Sequence, residues 1–401
     1  MDVLRLSFLI LMLPSCGPSN RFNQTYQEPT SQCVDSATTE RYLVIDRAGN
    51  VSIENTSRTA LEKKYDDQTL EKKNINTIEP DYQIKIESVS DQDEVASGTW
   101  GISAINIEAA WSAGYYGQNV VVGIVDSGLD VNHPALAKKV AQNISESTGV
   151  AGVDDDNNGF TDDLVSWNFA NDTNDVRDDL GHGTHVAGIV AAEETGDTSD
   201  PRGVAPRSTV LPISFLDSSG SGYISGALRA LDYAKSRNVS VINASWGGGG
   251  CSTILQQKIE ALKNQGIVFV AASGNSGINI DQFYEYPASL NLSNQITVGS
   301  LAPNSQLSDF SNYGYIAVHL IAPGSSILST YPGGTYKKMS GTSMATPFVT
   351  GAVAILKSAK PSATYSEIKN AILKSVTSEK YPVSSRGKLN VSEAVKWLQN
   401  H

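Results

Sequence analysis

The sequence predicts an α/β protein with a doubly wound parallel sheet and helices on both faces, preceded by a small α+β unit. Three runs, at 120–125, 239–242 and 267–270, are almost entirely apolar, as strands buried on both faces of a parallel sheet are. Helical stretches alternate with these runs, at 182–194, 223–237, 252–265 and 343–359. Because strand and helix alternate from residue 98 onward, we expect one α/β domain over 98–401.

The composition excludes several classes of protein. The chain has 401 residues, of which 40% are hydrophobic and 34 are glycine, so a collagen, a coiled coil and a mostly disordered chain are excluded. The 42 acidic and 30 basic residues give a net charge of −12. We therefore expect no nucleic-acid partner, because such a partner requires a basic surface. An acidic balance suits a secreted protein or one that binds hard cations.

The first sixteen residues are typical of a secretion signal. The apolar run at 6–13 is shorter than the roughly 20 apolar residues that span a bilayer, but it fits the core of a signal peptide. Cys16 follows Leu-Pro-Ser, which is similar to the lipobox at which bacterial lipoproteins are acylated. A plain signal peptide cleaved near Ser15 is the alternative. We expect a secreted or cell-envelope protein, with a lipid anchor on Cys16 in the lipobox interpretation.

Three further segments precede the main domain. Residues 17–40 are polar and are interpreted as a tether, and residues 41–86 combine a strand at 42–45, a charged helix at 59–73 and a strand-like stretch at 75–86. A unit of this size buries little core alone, so we expect it to pack on a neighbour. Residues 87–97 are polar and acidic, as exposed and cleavable linkers are. The predicted organisation is 1–16 signal peptide, 17–40 tether, 41–97 small unit with linker, and 98–401 main domain.

Polar residues follow the predicted strands, at the sheet edge where ligands bind in folds of this type. Asp126 follows the first strand, Ser245 the second and Asn275 the third. Two predicted helices open with His182, which lies between glycines, and with Ser343. The sequence thus supplies a carboxylate, an imidazole, a hydroxyl and a carboxamide for one site.

These four groups suit nucleophilic catalysis. A serine hydroxyl is a weak nucleophile until a base takes its proton, and histidine is the side chain whose proton moves near neutral pH. A carboxylate on the far ring nitrogen fixes the tautomer and stabilises the imidazolium. The amide of an asparagine donates to a developing oxyanion.

Five segments of the chain resemble the motif set of the subtilisin-like serine proteases: VVVGIVDSGLDVNHPAL, GHGTHVAGIV, INASWGG, AASGNSG and MSGTSMATPFVTGAVAIL. The resemblance covers about residues 98–400, and the order Asp, His, Ser along the chain also matches. It implies that Asp126 orients the base, that His182 is the general base and acid, and that Ser343 is the nucleophile. It also implies an oxyanion hole formed by Asn275 and the Ser343 backbone N–H.

The resemblance implies polypeptide substrates as well. An extended substrate strand would pair with the stretch formed by Ser245, Trp246, Gly247 and Gly248, which would also line the pocket for the residue before the scissile bond. Because the two glycines leave that pocket open, we expect it to tolerate large apolar side chains. The expected function is a secreted serine endopeptidase, made as a self-processing zymogen and acting as a monomer.

Residues 75–81 resemble the end of a subtilisin-type propeptide. In that family the propeptide inhibits the enzyme, assists its folding and is cleaved off, so the small unit is interpreted as the chain's own propeptide. A retained accessory domain is the alternative. The mature chain would then begin near residues 89–97. A Cys33–Cys251 disulfide and a free Cys251 both remain open.

Residues 154–163 carry the alternating oxygen side chains of an EF-hand-like calcium loop, with Gly159 at the sharp turn. We expect a structural calcium ion, and an acidic solvated loop is the alternative. A strong calcium site of the better-known subtilisins needs an aspartate where this chain has Ala135, so that second site is not expected. The predicted ligands are Asp154, Asp156, Asn158, the Phe160 carbonyl and Asp163.

Three other interpretations were weighed. The protein could be a narrow processing protease with one partner, or an inactive, calcium-stabilised binding protein; the intact set of four residues argues against the second. An esterase is disfavoured because no G-x-S-x-G elbow surrounds Ser343. His185, three residues after His182, is interpreted as a packed histidine, and Phe348 as a packed side chain where the family often has histidine.

Overall fold

The computed structural model describes residues 40–65, 69, 72–86, 99–194, 200–248 and 250–401. The predicted signal peptide, nearly all of the tether and the linker at 87–97 lie outside these residues. Within the described part of the chain, no helix is long and apolar enough to cross a bilayer.

The described residues of the N-terminal unit form a small antiparallel sheet with the helix α1 packed on it. The central strand β1 pairs with β2 on one side and β3 on the other, and a fourth strand, β4, joins a different sheet. Apolar residues of β1 alternate between a small core with α1 and the larger core of the main domain. The elements are β1 (Arg41–Asp46), β2 (Val51–Asn55), α1 (Arg58–Lys64), β3 (Ile75–Pro80) and β4 (Gln83–Lys85).

The main domain alternates strands and helices as predicted. A 3-10 turn over Leu262–Gln265 extends the seventh helix. In chain order the elements are α2 (Trp100–Ala104), α3 (Glu108–Ser112), β5 (Val121–Asp126), α4 (Ile144–Thr148), α5 (His182–Ala191), β6 (Thr209–Ser214), β7 (Ser221–Tyr223), α6 (Ile224–Ser236), β8 (Val241–Ala244), α7 (Thr253–Ala261), β9 (Val268–Ala272), β10 (Gln295–Leu301), β11 (Leu320–Pro323), β12 (Ile327–Tyr331), β13 (Thr335–Met339), α8 (Thr342–Ala359), α9 (Tyr365–Lys374), β14 (Thr377–Ser378), β15 (Gly387–Lys388) and α10 (Val391–Asn400).

An eight-stranded sheet lies at the centre of this domain, in the order β14-β15-β11-β10-β9-β8-β5-β6. Seven strands are parallel, and β14 pairs antiparallel with β15 at the edge. Successive residues of a strand point to opposite faces. In β9, Val268 and Val270 accordingly pack in the core with α5 and α8, whereas Phe269 and Ala271 pack in the core with α6 and α7. Helices therefore cover both faces, and the predicted fold class is confirmed.

The central helix α8 is almost entirely buried, and it packs against β8, β9, β10 and β11. Its sixth residue, Pro347, has no N–H to donate to the Ser343 carbonyl, which accepts the Ser245 hydroxyl instead. Phe348 is 3% exposed and belongs to the core, as expected. The helix therefore fixes its own first turn, which carries Ser343, against the carboxyl ends of the strands.

Candidate active site

Three elements deliver the predicted catalytic side chains to one edge of the sheet. Asp126 is the last residue of β5, His182 is the first residue of α5, and Ser343 is the second residue of α8. Helices α5 and α8 pack against each other. All three side chains are at least 95% buried in this form of the chain.

Asp126 and His182 form a direct pair. The His182 Nδ1 lies 2.7 Å from Asp126 Oδ1, and that oxygen also accepts the Ser127 backbone N–H at 2.8 Å. Burial alone lowers the pKa of His182, but the Asp126 carboxylate, with a smaller contribution from Asp178, outweighs it and raises the pKa above its usual value. The carboxylate thus places the proton on Nδ1 and leaves Nε2 as the basic nitrogen.

Asp178 holds the first turn of α5 and was missed from the sequence. Its carboxylate accepts the backbone N–H of Gly181 and both the N–H and hydroxyl of Thr184, at 2.7–2.8 Å. It also accepts the Ser127 hydroxyl at 2.8 Å, which ties the turn after Asp126 to the turn that carries His182. Its position in the sequence, three residues before Gly-His-Gly, is the feature from which this role could have been predicted.

Ser343 lies next to the stretch predicted to bind substrate. Its hydroxyl donates to the Ser245 carbonyl at 3.1 Å, and the Ser245 hydroxyl donates in turn to the Ser343 carbonyl at 2.8 Å. The Nε2 of His182 has no hydrogen-bond partner among the described residues. Catalytic hydrogen bonds are often longer or absent before substrate binds.

Asn275 is oriented by the residue before the nucleophile. Its Oδ1 accepts the Thr342 backbone N–H at 2.8 Å and the Thr342 hydroxyl at 2.9 Å. Because both contacts use the oxygen, the amide nitrogen is the end that faces away from Thr342. In this orientation the Asn275 amide N–H2 can donate a hydrogen bond to the oxyanion, as an oxyanion hole requires.

The residues after β8 divide into a buried anchor and an open edge. Trp246 is 1% exposed and donates its Nε1–H to the Val125 carbonyl at 2.9 Å, whereas Gly247 offers its backbone to a neighbouring strand. Gly248 follows with a φ of +96°, which favours glycine. A side-chain recess opens beside this edge; it is lined by Trp246, Gly247, Ala272, Gly274, Asn275, Glu285, Thr342 and Ser343.

His185 takes a structural position. Its Nε2 lies 3.0 Å from the Ile327 carbonyl and 2.9 Å from the Lys337 carbonyl, so this nitrogen carries the hydrogen. Burial lowers the pKa of His185 to about 3, and the imidazole is neutral at ordinary pH. The interpretation of His185 as a packed residue is confirmed.

The acidic loop brings together a partly different set of oxygens from the predicted one. Carboxylate oxygens of Glu146, Asp154 and Asp156 lie within 4.8 Å of one another. Glu146, on α4, was missed because it precedes the loop. Asp163 is fully buried and pairs instead with the Arg237 guanidinium at 3.3 Å.

The other two residues of the predicted calcium set lie beside this group. Asn158 donates its amide to Asp156 and to Asp163, at 3.1 Å in both cases. Phe160 places its ring among three aromatic side chains: Trp167, Phe169 and Tyr233.

Comparison with known proteins agrees with this geometry. The profile of the subtilase family matches residues 117–391. The chain is 32% identical over 327 residues to Subtilisin-like protease 1 of Plasmodium berghei (strain Anka), with 76% of this chain and 54% of that protein aligned. It is 34% identical over 315 residues to Subtilisin E of Bacillus subtilis (strain 168), with 77% and 74% aligned. It is 36% identical over 302 residues to Subtilisin of Bacillus pumilus, with 74% and 98% aligned.

The chain therefore spans about half the length of the Plasmodium relative and most of the two Bacillus relatives. The family match covers more than half of the chain and includes the segments that carry Asp126, His182, Asn275 and Ser343. This chain belongs to the subtilase family of serine endopeptidases.

Proposed function

We propose that the protein hydrolyses peptide bonds through the triad of Ser343, His182 and Asp126 and a covalent acyl-enzyme. The observation that carries this proposal is the buried 2.7 Å contact between His182 Nδ1 and Asp126. It leaves Nε2 as a base at the edge where Ser343 and Asn275 also lie. Loss of activity in a Ser343→Ala variant, described in the Discussion, is the test.

The steps follow from these positions. His182 Nε2 takes the Ser343 hydroxyl proton as the oxygen attacks the substrate carbonyl. The Asn275 amide and the Ser343 backbone N–H stabilise the resulting oxyanion. The imidazolium returns its proton to the leaving amine, and water, activated by the same nitrogen, hydrolyses the acyl-enzyme and releases Ser343.

An Asn275→Ala variant is expected to lose about 10²- to 10³-fold in kcat, the loss known for removal of this donor in a subtilisin, with little change in KM. The reason is that the amide contacts the oxyanion far more strongly than the ground-state carbonyl. Steady-state kinetics on a peptide substrate measure both parameters. A loss confined to KM would contradict the assignment. Asn304→Ala, at an exposed loop residue, is the control.

The N-terminal unit is proposed to be the propeptide, and its contacts with the substrate-binding edge support this. Strand β4 pairs antiparallel with β7, and Lys85 exchanges backbone hydrogen bonds with Gly247 at 3.1 and 3.4 Å. The next residue, Ile86, donates its N–H to the Gly220 carbonyl at 2.9 Å. Ile84 is 1% exposed, in the same apolar core as Trp246. An added strand of this kind blocks the groove that an extended substrate would use.

Two carboxylates of the N-terminal unit seat it on the main domain. The fully buried Asp81 accepts the backbone N–H and the hydroxyl of Ser225, at 2.8 and 2.7 Å, in the first turn of α6. Glu79 accepts the Ser252 hydroxyl and the Thr253 N–H, at the start of α7. Carboxylates are favourable at helix N-termini. Both contacts therefore help the strand pairing to hold the N-terminal unit in one orientation on the main domain.

The contacts that follow β4 support cleavage in the linker. Lys85 pairs with Gly247, and Ile86, the last described residue before the linker, donates its N–H to the Gly220 carbonyl. The Ser245 carbonyl accepts the Ser343 hydroxyl. We infer that Ser343 cuts within the linker at 87–97, so that the mature chain would begin near residues 89–97, as expected from the sequence.

Secretion and a lipid anchor on Cys16 remain proposals that rest on the first sixteen residues. Cys251 is disulfide-bonded, so the free-thiol alternative does not hold. The other two cysteines of the chain, Cys16 and Cys33, both precede the linker and lie outside the described residues. A disulfide from Cys251 to Cys33 would keep the N-terminal segment attached after the linker is cut, and a lipid on Cys16 would then hold the protease at the membrane.

A structural calcium ion is proposed at the acidic loop. The donor set fits this cation, because Glu146, Asp154 and Asp156 converge their carboxylates and calcium prefers several oxygen ligands. These side chains also order the loop, since Glu146 accepts the N–H of Asp155 at 2.7 Å and of Asp162 at 2.9 Å. Bound calcium would offset the repulsion among the three carboxylates and stabilise this region.

Removal of calcium is expected to lower the melting temperature by about 5 °C or more, because a ligand at 100 times its Kd adds about 2.7 kcal/mol to the free energy of unfolding. Calorimetry of the Ser343→Ala protein in calcium and in excess chelator measures the difference without self-digestion. Glu146→Gln should abolish this difference, whereas Glu260→Gln, a change at a half-buried acid paired with Lys263, should not. Equal melting temperatures with and without chelator would contradict the calcium proposal.

A further inference from the structure

The side-chain recess beside Ser343 contains one carboxylate. Of its eight lining residues, Glu285 is the only Asp, Glu, Lys, Arg or His. Glu285 follows Asn275 by ten residues and lies in the loop between β9 and β10, so no sequence motif assigned it to the site.

Distances to two glycines show where the Glu285 side chain lies. Its Oε1 lies 3.3 Å from the position that a Cβ on Gly247 would occupy, and its Cγ lies 3.3 Å from that of a Cβ on Gly274. The side chain therefore passes between the loops that follow β8 and β9. A turn holds its backbone, because Glu285 accepts the Ser289 N–H at 2.7 Å and donates its own N–H to the Ser289 hydroxyl at 3.0 Å.

The recess receives the side chain of one particular substrate residue. A substrate carbonyl under attack must lie between Ser343 and Asn275, and both of these residues line the recess. The substrate backbone runs along the Gly247 edge, which forms another wall. The side chain of the attacked residue therefore points toward Glu285.

We propose that Glu285 makes this protease select lysine or arginine at the residue whose carbonyl Ser343 attacks. The inference rests on the proposed peptidase function and names its substrate class. A carboxylate in a half-buried recess attracts a cation and repels an anion more strongly than it would in open water. The pocket would thus discriminate by charge, although the glycines of the 245–248 stretch predicted tolerance of large apolar side chains.

The same charge makes the chain's own linker a poor substrate. Residues 87–97 contain four acidic residues and no lysine or arginine. Repulsion between acidic groups would slow self-cleavage and prolong the blocked state. Replacing Glu285 with a neutral residue should therefore slow cleavage after lysine or arginine and speed cleavage of the linker.

The test uses the full chain and three peptides that differ only at the attacked residue, which is Lys, Leu or Glu. Wild type is expected to cleave the Lys peptide on the order of 10-fold better in kcat/KM than the Leu peptide, and the Glu peptide least. Glu285→Gln should bring the Lys-to-Leu ratio close to 1 and speed loss of the linker. Glu260→Gln is the control for a general change of charge.

The outcomes separate the two proposals. A Lys-to-Leu ratio that is the same in wild type and Glu285→Gln, with both enzymes active, overturns the role of Glu285 and leaves the peptidase function standing. Cleavage of none of the peptides by wild type overturns both. A Glu285→Gln variant that loses all three activities equally shows a structural effect and also contradicts the proposal, whereas Glu285→Lys should favour the Glu peptide if charge is the determinant.

Discussion

Ser343→Ala is expected to lower kcat by about 10⁶-fold and to leave the linker uncut. The loss is this large because no acyl-enzyme forms without the hydroxyl, and His182 has no other group to activate. Peptide hydrolysis gives the rate, and intact mass with N-terminal sequencing gives the state of the linker. Wild type should be cut within the linker at 87–97 and show a new N-terminus there, whereas the variant should keep its full length.

Two controls sharpen this result. Ser378→Ala changes an exposed serine on β14 and should behave as wild type. Because Cys251 is disulfide-bonded, cut wild type should run as one species without reductant and as two with it. If Ser343→Ala is processed as fast as wild type, maturation depends on another enzyme. If Ser343→Ala still hydrolyses peptides, Ser343 is not the nucleophile.

Asp126→Asn is expected to lower kcat by about 10⁴-fold and to move the acid limb of the pH profile to lower pH. Activity needs neutral His182, so it falls as the pH drops through the pKa of that imidazole. Asp126 raises this pKa against the effect of burial, so the limb of wild type should lie above the ordinary value of 6.5. With asparagine at position 126, the carboxylate no longer raises the His182 pKa, so His182 stays neutral down to a lower pH. A pH profile of kcat/KM measures the shift.

Asp175→Asn is the matched control, because Asp175 is an exposed carboxylate paired with Arg177 and lies outside the site. Its profile should overlay that of wild type. An acid limb that stays in place in Asp126→Asn would mean that another group governs the profile. Asp178→Asn should shift the limb less, since its charge contributes less to the His182 pKa and its main contacts hold the turn.

The sequence by itself determined the fold class and the chemistry of the site. Strands such as β9 are apolar on both faces because both faces are buried, and this local pattern is visible without coordinates. Asp126, His182 and Ser343 each lie where a strand ends or a helix begins, next to residues with a recognisable motif. The types of side chain and their local settings therefore indicated nucleophilic catalysis, and the structure brings the Asp126 and His182 atoms within hydrogen-bond distance.

Only the tertiary structure decided which distant side chains share a space. Asp163 was predicted to bind calcium from its place in the loop, but the fold pairs it with Arg237, 74 residues away, and brings Glu146 to the loop instead. Glu285 reaches the recess because the loops after β8 and β9 meet there, which no local spacing encodes. Periodicity and motifs report the backbone near a residue, whereas the partner of a buried charge depends on the packing of whole elements.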